Sequence, residues 1–240
     1  MTTKEHYDNH LGEIYSWMMG DFRSRADNFK KLLRENLIAP NSNKTAIDLG
    51  AGHGIQSIPL AEIGFNVMAV DFNQNLLEEL NSNAKNLNIT TINDDIRNLK
   101  NFSKSPELIV CGGDTLSHLE SKREVETFIY DISSVLEKDG KIILSFRDYS
   151  NPLFGTDRFI PVRSDENRIM TCFLEYDNDH INVTDILQEK TNEGWKQKIS
   201  SYRKVRLVTS DIINLLTFNA FKIIYNQINN RLTTIIATKP

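Results

Sequence analysis

Residues 46–60, AIDLGAGHGIQSIPL, run from an apolar stretch through three alternate glycines into a helix-like pattern. A strand that ends in a glycine turn and opens a helix is a nucleotide cradle, and the register of the glycines decides which nucleotide it suits. The dinucleotide fingerprint is G-x-G-x-x-G. Here the glycines stand at 50, 52 and 54, so Ile55 takes the place of the third dinucleotide glycine. Asp48, two residues before Gly50, is expected to turn its carboxylate toward the ligand. There it would repel a diphosphate by on the order of 1 kcal/mol or more and attract a cation.

Outward from this turn, short apolar runs alternate with longer amphipathic ones. TAIDL (45–49), FNVMAV (65–70), NITTI (88–92), ELIVC (107–111) and KIILSF (141–146) read as strands. Most are continuous apolar or β-branched runs, as strands covered on both faces are. Helices are expected over 53–63, 73–85 and 121–136, with Asn73 and Ser121 as N-caps and Gly140 in the closing turn. Strands alternating with helices predict an α/β fold around a parallel, doubly wound sheet. After Phe146 the rhythm changes. Residues 147–162 hold two prolines and a glycine and read as a loop, and three strands follow at 168–176, 180–189 and 195–208. This is an antiparallel meander inserted before a late helix that starts at 209–211. Two last strands, 221–228 and 231–238, pair antiparallel through a turn near Asn229 and Asn230. Upstream, 23–38 forms one amphipathic helix and 7–19 another.

Composition narrows the class. The chain has 240 residues, 40% hydrophobic and 25% charged, ample for one sizeable core, with a net charge of −4. Its 28 Lys and Arg residues are scattered, which argues against a partner held by phosphate neutralisation. The run 196–206 alternates charges as a solvated strand face does. Two cysteines, Cys111 and Cys172, make neither a disulfide framework nor a metal cluster. The polar opening MTTKEHYDNH shows no secretory signal, and no apolar run approaches the ~20 residues of a membrane span. A cytoplasmic protein is expected.

Asp71 ends the second strand about 20 residues beyond the turn, where an acid accepts both hydroxyls of a ribose. Asp94 and Asp95 follow the third strand, and Gly112, Gly113 and Asp114 follow the fourth, at the edge where open α/β sheets bind ligands. With DLGAGHG (48–54), AVDFN (69–73), NDDI (93–96), CGGDTLSHL (111–119), KDGKIILSF (138–146) and FKIIYNQI (221–228), the sequence resembles the class I S-adenosylmethionine-dependent methyltransferases. CGGDTLSHL and the late β insertion look like their small-molecule branch, which includes glycine and sarcosine N-methyltransferases. The resemblance implies a seven-stranded sheet in the order 3-2-1-4-5-7-6 with the last strand antiparallel. It implies S-adenosylmethionine as cofactor, a ligand with an ammonium, a sulfonium and no phosphate, leaving as S-adenosylhomocysteine. By it, Asp48, Gly50, Gly52 and Gly54 line the methionine half and Asp71 takes the ribose. Asp95 and Ile96 meet the adenine, Phe72 covers one of its faces, and Cys111 and Gly112 pass beneath the sulfonium. One departure is Asn219-Ala220, where an Ala-Gly turn is common.

Methyl transfer from a sulfonium is an in-line displacement on an activated donor, so alignment and exclusion of water are the main demands. A cationic amine acceptor must also lose a proton. Asp114 and His118 are the candidate bases, although Asp114 equally caps the short helix TLSHL and His118 equally sits in its core. Tyr15 joins them as a candidate catalytic residue. Residues 6–22 are dense in aromatics and form either a lid over the cofactor or a docking helix, with Tyr7 and Tyr15 expected at the acceptor. Arg147 and Tyr149, after the fifth strand, complete the expected substrate contacts. The expected organisation is a lid over 1–40, a core over 41–149 and 208–240, and a cap over 150–207. The expected activity is methyl transfer to a small-molecule acceptor, an amine or amino acid among the possibilities, in a monomer or homodimer without nucleic acid, membrane or metal. A nucleic-acid enzyme is disfavoured, since the Asn/Asp-Pro-Pro-aromatic tetrad is missing after the fourth strand. A non-catalytic sensor or interaction module that binds the cofactor remains the alternative.

Overall fold

The computed structural model describes residues 2–102 and 105–240, so the first residue of the expected 1–40 lid lies outside it. In chain order the elements are α1 (Thr3–His6), α2 (Tyr15–Met19), α3 (Phe22–Glu35), β1 (Thr45–Leu49), α4 (Ser57–Glu62), β2 (Asn66–Asp71), α5 (Gln74–Asn83) and β3 (Ile89–Asn93). They continue with β4 (Leu108–Cys111), α6 (Lys122–Val135), β5 (Lys141–Arg147), β6 (Phe159–Ser164), β7 (Arg168–Tyr176), β8 (His180–Thr191), β9 (Gly194–Val205), α7 (Thr209–Phe218), β10 (Lys222–Asn229) and β11 (Leu232–Thr238).

Seven strands form one sheet in the order β10-β11-β5-β4-β1-β2-β3. The strands β1 to β5 are mutually parallel, and β11 runs antiparallel to both β5 and β10. This is the order 3-2-1-4-5-7-6 that the family resemblance implies. The apolar runs explain it, because β4 is buried at every residue and both sheet faces are covered. One face packs on α6 and α7 through Phe128, Ile129, Ile132, Ile212 and Leu216. The other packs on α3, α4 and α5 through Leu33, Leu60, Leu77 and Leu80. Asn73 and Ser121 cap α5 and α6, accepting from the amides of Leu76 and Glu124 at 3.1 and 3.2 Å. The β10–β11 turn carries positive φ at both Asn230 (49°) and Arg231 (63°), the backbone a two-residue hairpin needs. Ala220, in the expected glycine place, has φ 64°.

The meander is a second sheet, β6-β7-β8-β9, antiparallel throughout. It holds four strands, not three, because part of the expected 147–162 loop pairs with β7. Pro161 misled the reading. It lies opposite Thr171 on an edge strand, where its missing N–H costs no ladder bond, and the register slips just beyond it. Two helices also differ from expectation. The 53–63 helix starts only at Ser57, because the glycine turn extends through 56. The 7–19 helix is broken: α1 runs into a π-turn at Tyr7–Leu11, a 3₁₀ turn at Gly12–Ile14 and then α2, which ends at Gly20 with φ 81°. A Cβ on Gly12 would stand 2.8 Å from the Tyr7 carbonyl, the acceptor of its own amide across the π-turn, so a side chain there would crowd that turn. Among the described residues, no helix is long and apolar enough to cross a membrane.

Candidate active site

Four strand ends and the N-terminal turns enclose a cavity of about 750 Å³. Gly50 and Gly52 line it, with Asp71 and Phe72 after β2, Asp95 and Ile96 after β3, and Gly113, Thr115 and His118 after β4. Tyr7 and Tyr15 close it from the N-terminal side. Thus the structure brings together six of the ten residues expected at the cofactor and both N-terminal tyrosines. Gly50 is required twice over: its φ is 77°, and a Cβ would collide with the Thr115 side chain.

The turn spends its own donors. The amides of Gly50 and Ala51 both donate to the Val70 carbonyl, at 2.8 and 3.0 Å, and that of Gly54 donates to Ala51. The Gly52 amide donates to Asp71 Oδ2 at 2.8 Å, and the Asn73 amide to Oδ1 at 2.9 Å. A diphosphate cradle needs such amides turned outward. The cations on the cavity are also engaged. Lys4 pairs with Asp8, Arg203 lies 3.8 Å from Asp177, and Arg97 meets Asp95 at 2.6 Å and Glu120 and Glu124 farther off. Asp71 faces the cavity with burial pushing its carboxyl above the usual range against the bonds from Asn73 and Gly52. The donor set therefore suits a nucleoside without phosphate, such as S-adenosylmethionine.

Four expected cofactor residues stand behind this wall. Asp48 corrects the electrostatic argument: it is fully buried, absent from the cavity, and its Oδ2 accepts from the Ser57 hydroxyl at 2.6 Å. Burial pushes it up to about 7, against the Ser57 bond, and Oδ1 has no partner among the described residues. The exclusion of diphosphate rests on the spent amides instead. Gly54 backs onto Leu80 and Ile58, and Gly112 onto the Gln56 side chain. Cys111 is fully buried, and burial raises its thiol.

On the acceptor side the expectations divide. His118 lines the cavity, and burial, assisted by the Lys204 charge, lowers it to about 3, so the imidazole is neutral. Its Nδ1 is shut away from solvent without a partner among the described residues. Tyr15 lies 3.4 Å from where a Gly52 Cβ would be, and burial pushes its hydroxyl up to about 12. Asp114 does not line the cavity and does not cap the TLSHL turn. With φ 78°, it turns its carboxylate inward to accept the Arg147 amide at 2.8 Å and the Lys204 ammonium at 2.6 Å. Burial would raise it, but Lys204, the Arg147 amide and His118 together hold it below the ordinary value. It is a brace between β5 and β9, not a base. Arg147 is exposed and off the cavity, and Tyr149 is buried under the meander with Leu174, Ile181, Val183 and Tyr202.

Sequence reasoning missed the polar interior of the insertion. Lys204 and Asp185 are 8% and 1% exposed, and Lys204 lies inside the 196–206 run that reads as a solvated face. Asp185 had a signal, since it interrupts the apolar face Ile181, Val183, Leu187 of one strand. Lys204 had none, because lysines at 196 and 198 on the same strand are exposed.

Residues 46–140 match the family model described as a methyltransferase domain. The chain is 28% identical over 156 residues to a glycine/sarcosine N-methyltransferase of Aphanothece halophytica, covering 60% of this chain and 57% of that one. It spans little more than half the length of the curated relatives it matches. Among solved structures it resembles an S-adenosylmethionine-dependent methyltransferase of Clostridium acetobutylicum (TM-score 0.74, 17% identity, 98% and 96% of the two chains). It also resembles CalS10, an amino pentose methyltransferase of Micromonospora echinaspora solved with S-adenosylmethionine bound (TM-score 0.69, 12% identity, 96% and 97%). By the methyltransferase domain matched at residues 46–140 and the fold around it, the chain is similar to the class I S-adenosylmethionine-dependent methyltransferases.

Proposed function

We propose that this protein transfers the methyl group of S-adenosylmethionine to a small-molecule acceptor that meets His118. One observation carries the reading: a single cavity is lined both by the Gly50–Gly52–Asp71 turn and by His118 with Tyr7 and Tyr15. In this reading Asp71 holds the ribose hydroxyls, Asp95 and Ile96 meet the adenine edge under Phe72, and the turn at Gly50 and Gly52 holds the methionine half. When bound, the cofactor supplies a methyl group on a cationic sulfur, already activated for transfer. The protein's part is then to orient the acceptor, keep water out and manage one proton.

Tyr7, Tyr15 and Phe72 supply the water-excluding wall, and Tyr7 lies edge-on to both Phe72 (5.5 Å) and His118 (5.7 Å). With Nδ1 shut away, Nε2 of His118 is the nitrogen left to meet an acceptor N–H or O–H. A neutral imidazole accepts such a bond, but at a pKa of about 3 it does not hold a proton taken from an ammonium. From an alkylammonium of pKa ~10 that transfer is uphill by roughly 9 kcal/mol. An amine acceptor therefore arrives as its free base, its proton already lost to water. The glycine/sarcosine and amino-pentose enzymes among the relatives act on amines, which supports an amine here. Two unpaired cysteines, Cys111 and Cys172, suit a reducing compartment, and we place the protein in the cytoplasm.

The test is release of S-adenosylhomocysteine over a panel of amines, amino acids, amino sugars and hydroxylated metabolites, with Asp71→Ala as control. Turnover that is lost in the control supports the reading. Cofactor binding with no release across the panel overturns it in favour of a non-catalytic module. With an active amine, log kcat/KM should rise with pH toward the acceptor's own solution pKa, with no inflection from His118 between pH 5 and 8. A histidine inflection in that window would overturn the assigned role of His118.

A further inference from the structure

Residue 6 lies at the start of the segment that closes the cavity, yet its imidazole is fully buried. His6 Nε2 lies 3.1 Å from Asp185 Oδ2 on β8, and Nδ1 lies 2.7 Å from Ser200 Oγ on β9. Asp185 is itself 1% exposed, and its other oxygen accepts from Cys172 Sγ at 2.8 Å. The imidazole stacks on Tyr202 with centroids 4.1 Å apart and planes at 26°. Tyr202 in turn stacks on His118, at 5.6 Å and 22°. Tyr7 stands edge-on to both histidines, at 6.2 and 5.7 Å. A run of ring contacts thus joins the buried Asp185 to the cavity wall.

The segment around His6 cannot hold this shape alone. Its helical pieces are four or five residues long, separated by a π-turn and a 3₁₀ turn, far short of the ~12–15 residues at which isolated helices become even marginal in water. Its apolar adhesion to the second sheet comes from Leu11 and Ile14, which pack on Met170 and Leu187, and less buried hydrogen bonds run from Ser16 to Glu79, from Trp17 to Asp165 and from Asn73 to Asp8. Apolar contacts of that kind are non-directional and do not fix a register. A buried carboxylate facing one imidazole does, because any slip leaves Asp185 in the interior without that partner.

We infer that His6 is a positioning residue: docked on Asp185 and Ser200, it registers residues 2–18 against the second sheet and so sets Tyr7 and Tyr15 in the cavity wall. The inference rests on the proposed methyltransferase reading for what the wall encloses, but not for the docking itself. Because Tyr7 and Tyr15 line the same cavity as Asp71, a docking that favours cofactor binding is favoured by the cofactor by the same factor.

The experiment is amide hydrogen exchange by mass spectrometry on the full chain, with and without S-adenosylhomocysteine, beside calorimetric titration of that ligand. It compares the unaltered protein with His6→Phe, which keeps a stacking ring and loses both polar contacts, and with His6→Gln, which keeps a donor toward Asp185. His6→Phe should speed exchange over residues 2–18 at least tenfold, leave β4 and β5 protected, and weaken the ligand at least tenfold. His6→Gln should recover most of both losses, and ligand should slow exchange over 2–18 in the unaltered protein. If His6→Phe fails to fold, Asp185→Asn carries the test with the same expected loosening. Unchanged exchange over 2–18 in the variants overturns the inference, as does a His6→Gln no better than His6→Phe. If the unaltered chain does not bind the ligand, the methyl-donor reading falls, while ligand-free exchange still decides the docking.

Discussion

The two walls of the cavity are built in different ways. On the cofactor side, strand ends and a glycine turn within one stretch of about 65 residues place backbone amides, with Asp71 bonded to two of them. On the side of His118, that one ring lines the cavity, and behind it side chains from residues 6, 114, 185 and 204 form buried polar pairs drawn from nearly the whole chain. The first wall is a product of local geometry, and a spacing rule finds it. The second depends on which strand faces turn inward, which local spacing does not disclose.

The largest expected effect breaks the second wall. Lys204→Met leaves Asp114 buried without its cation, and unfolding by denaturant should show a loss of about 3–5 kcal/mol. Adding Asp114→Asn should return much of it. The pair also has a pH signature. Asp114 is held low in the folded state, so its contribution is present above the ordinary carboxylate pKa and is lost as pH falls through the folded value. Lys204 is held high, with Asp114 overcoming the effect of burial, so its contribution is full below the ordinary lysine pKa and fades only as pH rises toward the folded value.

Asp48 behind the first wall behaves oppositely. Its native pKa of about 7 lies above an unfolded carboxyl's ~3.9, so the folded state binds the extra proton. The contribution of Asp48 to stability should therefore be greatest below about pH 4, decline toward pH 7 and level off, a change on the order of 4 kcal/mol. Asp48→Asn should flatten the slope in denaturation curves taken from pH 4 to 8. It should change cofactor affinity less than threefold, since it does not line the cavity.

Asp71→Ala sharpens the contrast between these two acids. On the proposed reading it removes charge-assisted bonds to the ribose worth about 1.5–3 kcal/mol each, so calorimetry should show S-adenosylhomocysteine weakened by ~100-fold. Equal affinity for Asp71→Ala and the unaltered chain would remove the site map. The smallest effect lies far from both walls. Ala220 holds φ 64°, which glycine adopts without strain, so Ala220→Gly should raise stability by up to ~1 kcal/mol, read as a small increase in Tm.

Legibility in the sequence follows the same division. The alternation of strands and helices, the caps at Asn73 and Ser121, and Gly50, Gly52 and Asp71 were readable from periodicity or a fixed offset after a strand. The seven-strand order and the places of Phe72, Asp95 and Ile96 came instead from the family resemblance. Pro161 hid an edge strand, since a residue without an amide donor reads as a loop until its place in the sheet is known. Asp114 was legible as a residue and not as a role. Whether its carboxylate faced the cavity or Lys204, ninety residues away, depended on tertiary structure alone. His6 lay in a polar opening that gave no hint of burial, because its partners lie 179 and 194 residues downstream.

The direct test of the central claim is calorimetric titration of the full chain with S-adenosylhomocysteine and, separately, with NAD. The engaged amides of residues 50, 51, 52 and 54 predict one-to-one binding of the sulfur nucleoside and no heat of binding from the dinucleotide. Stoichiometric uptake of NAD, with the sulfur nucleoside left unbound, would contradict it.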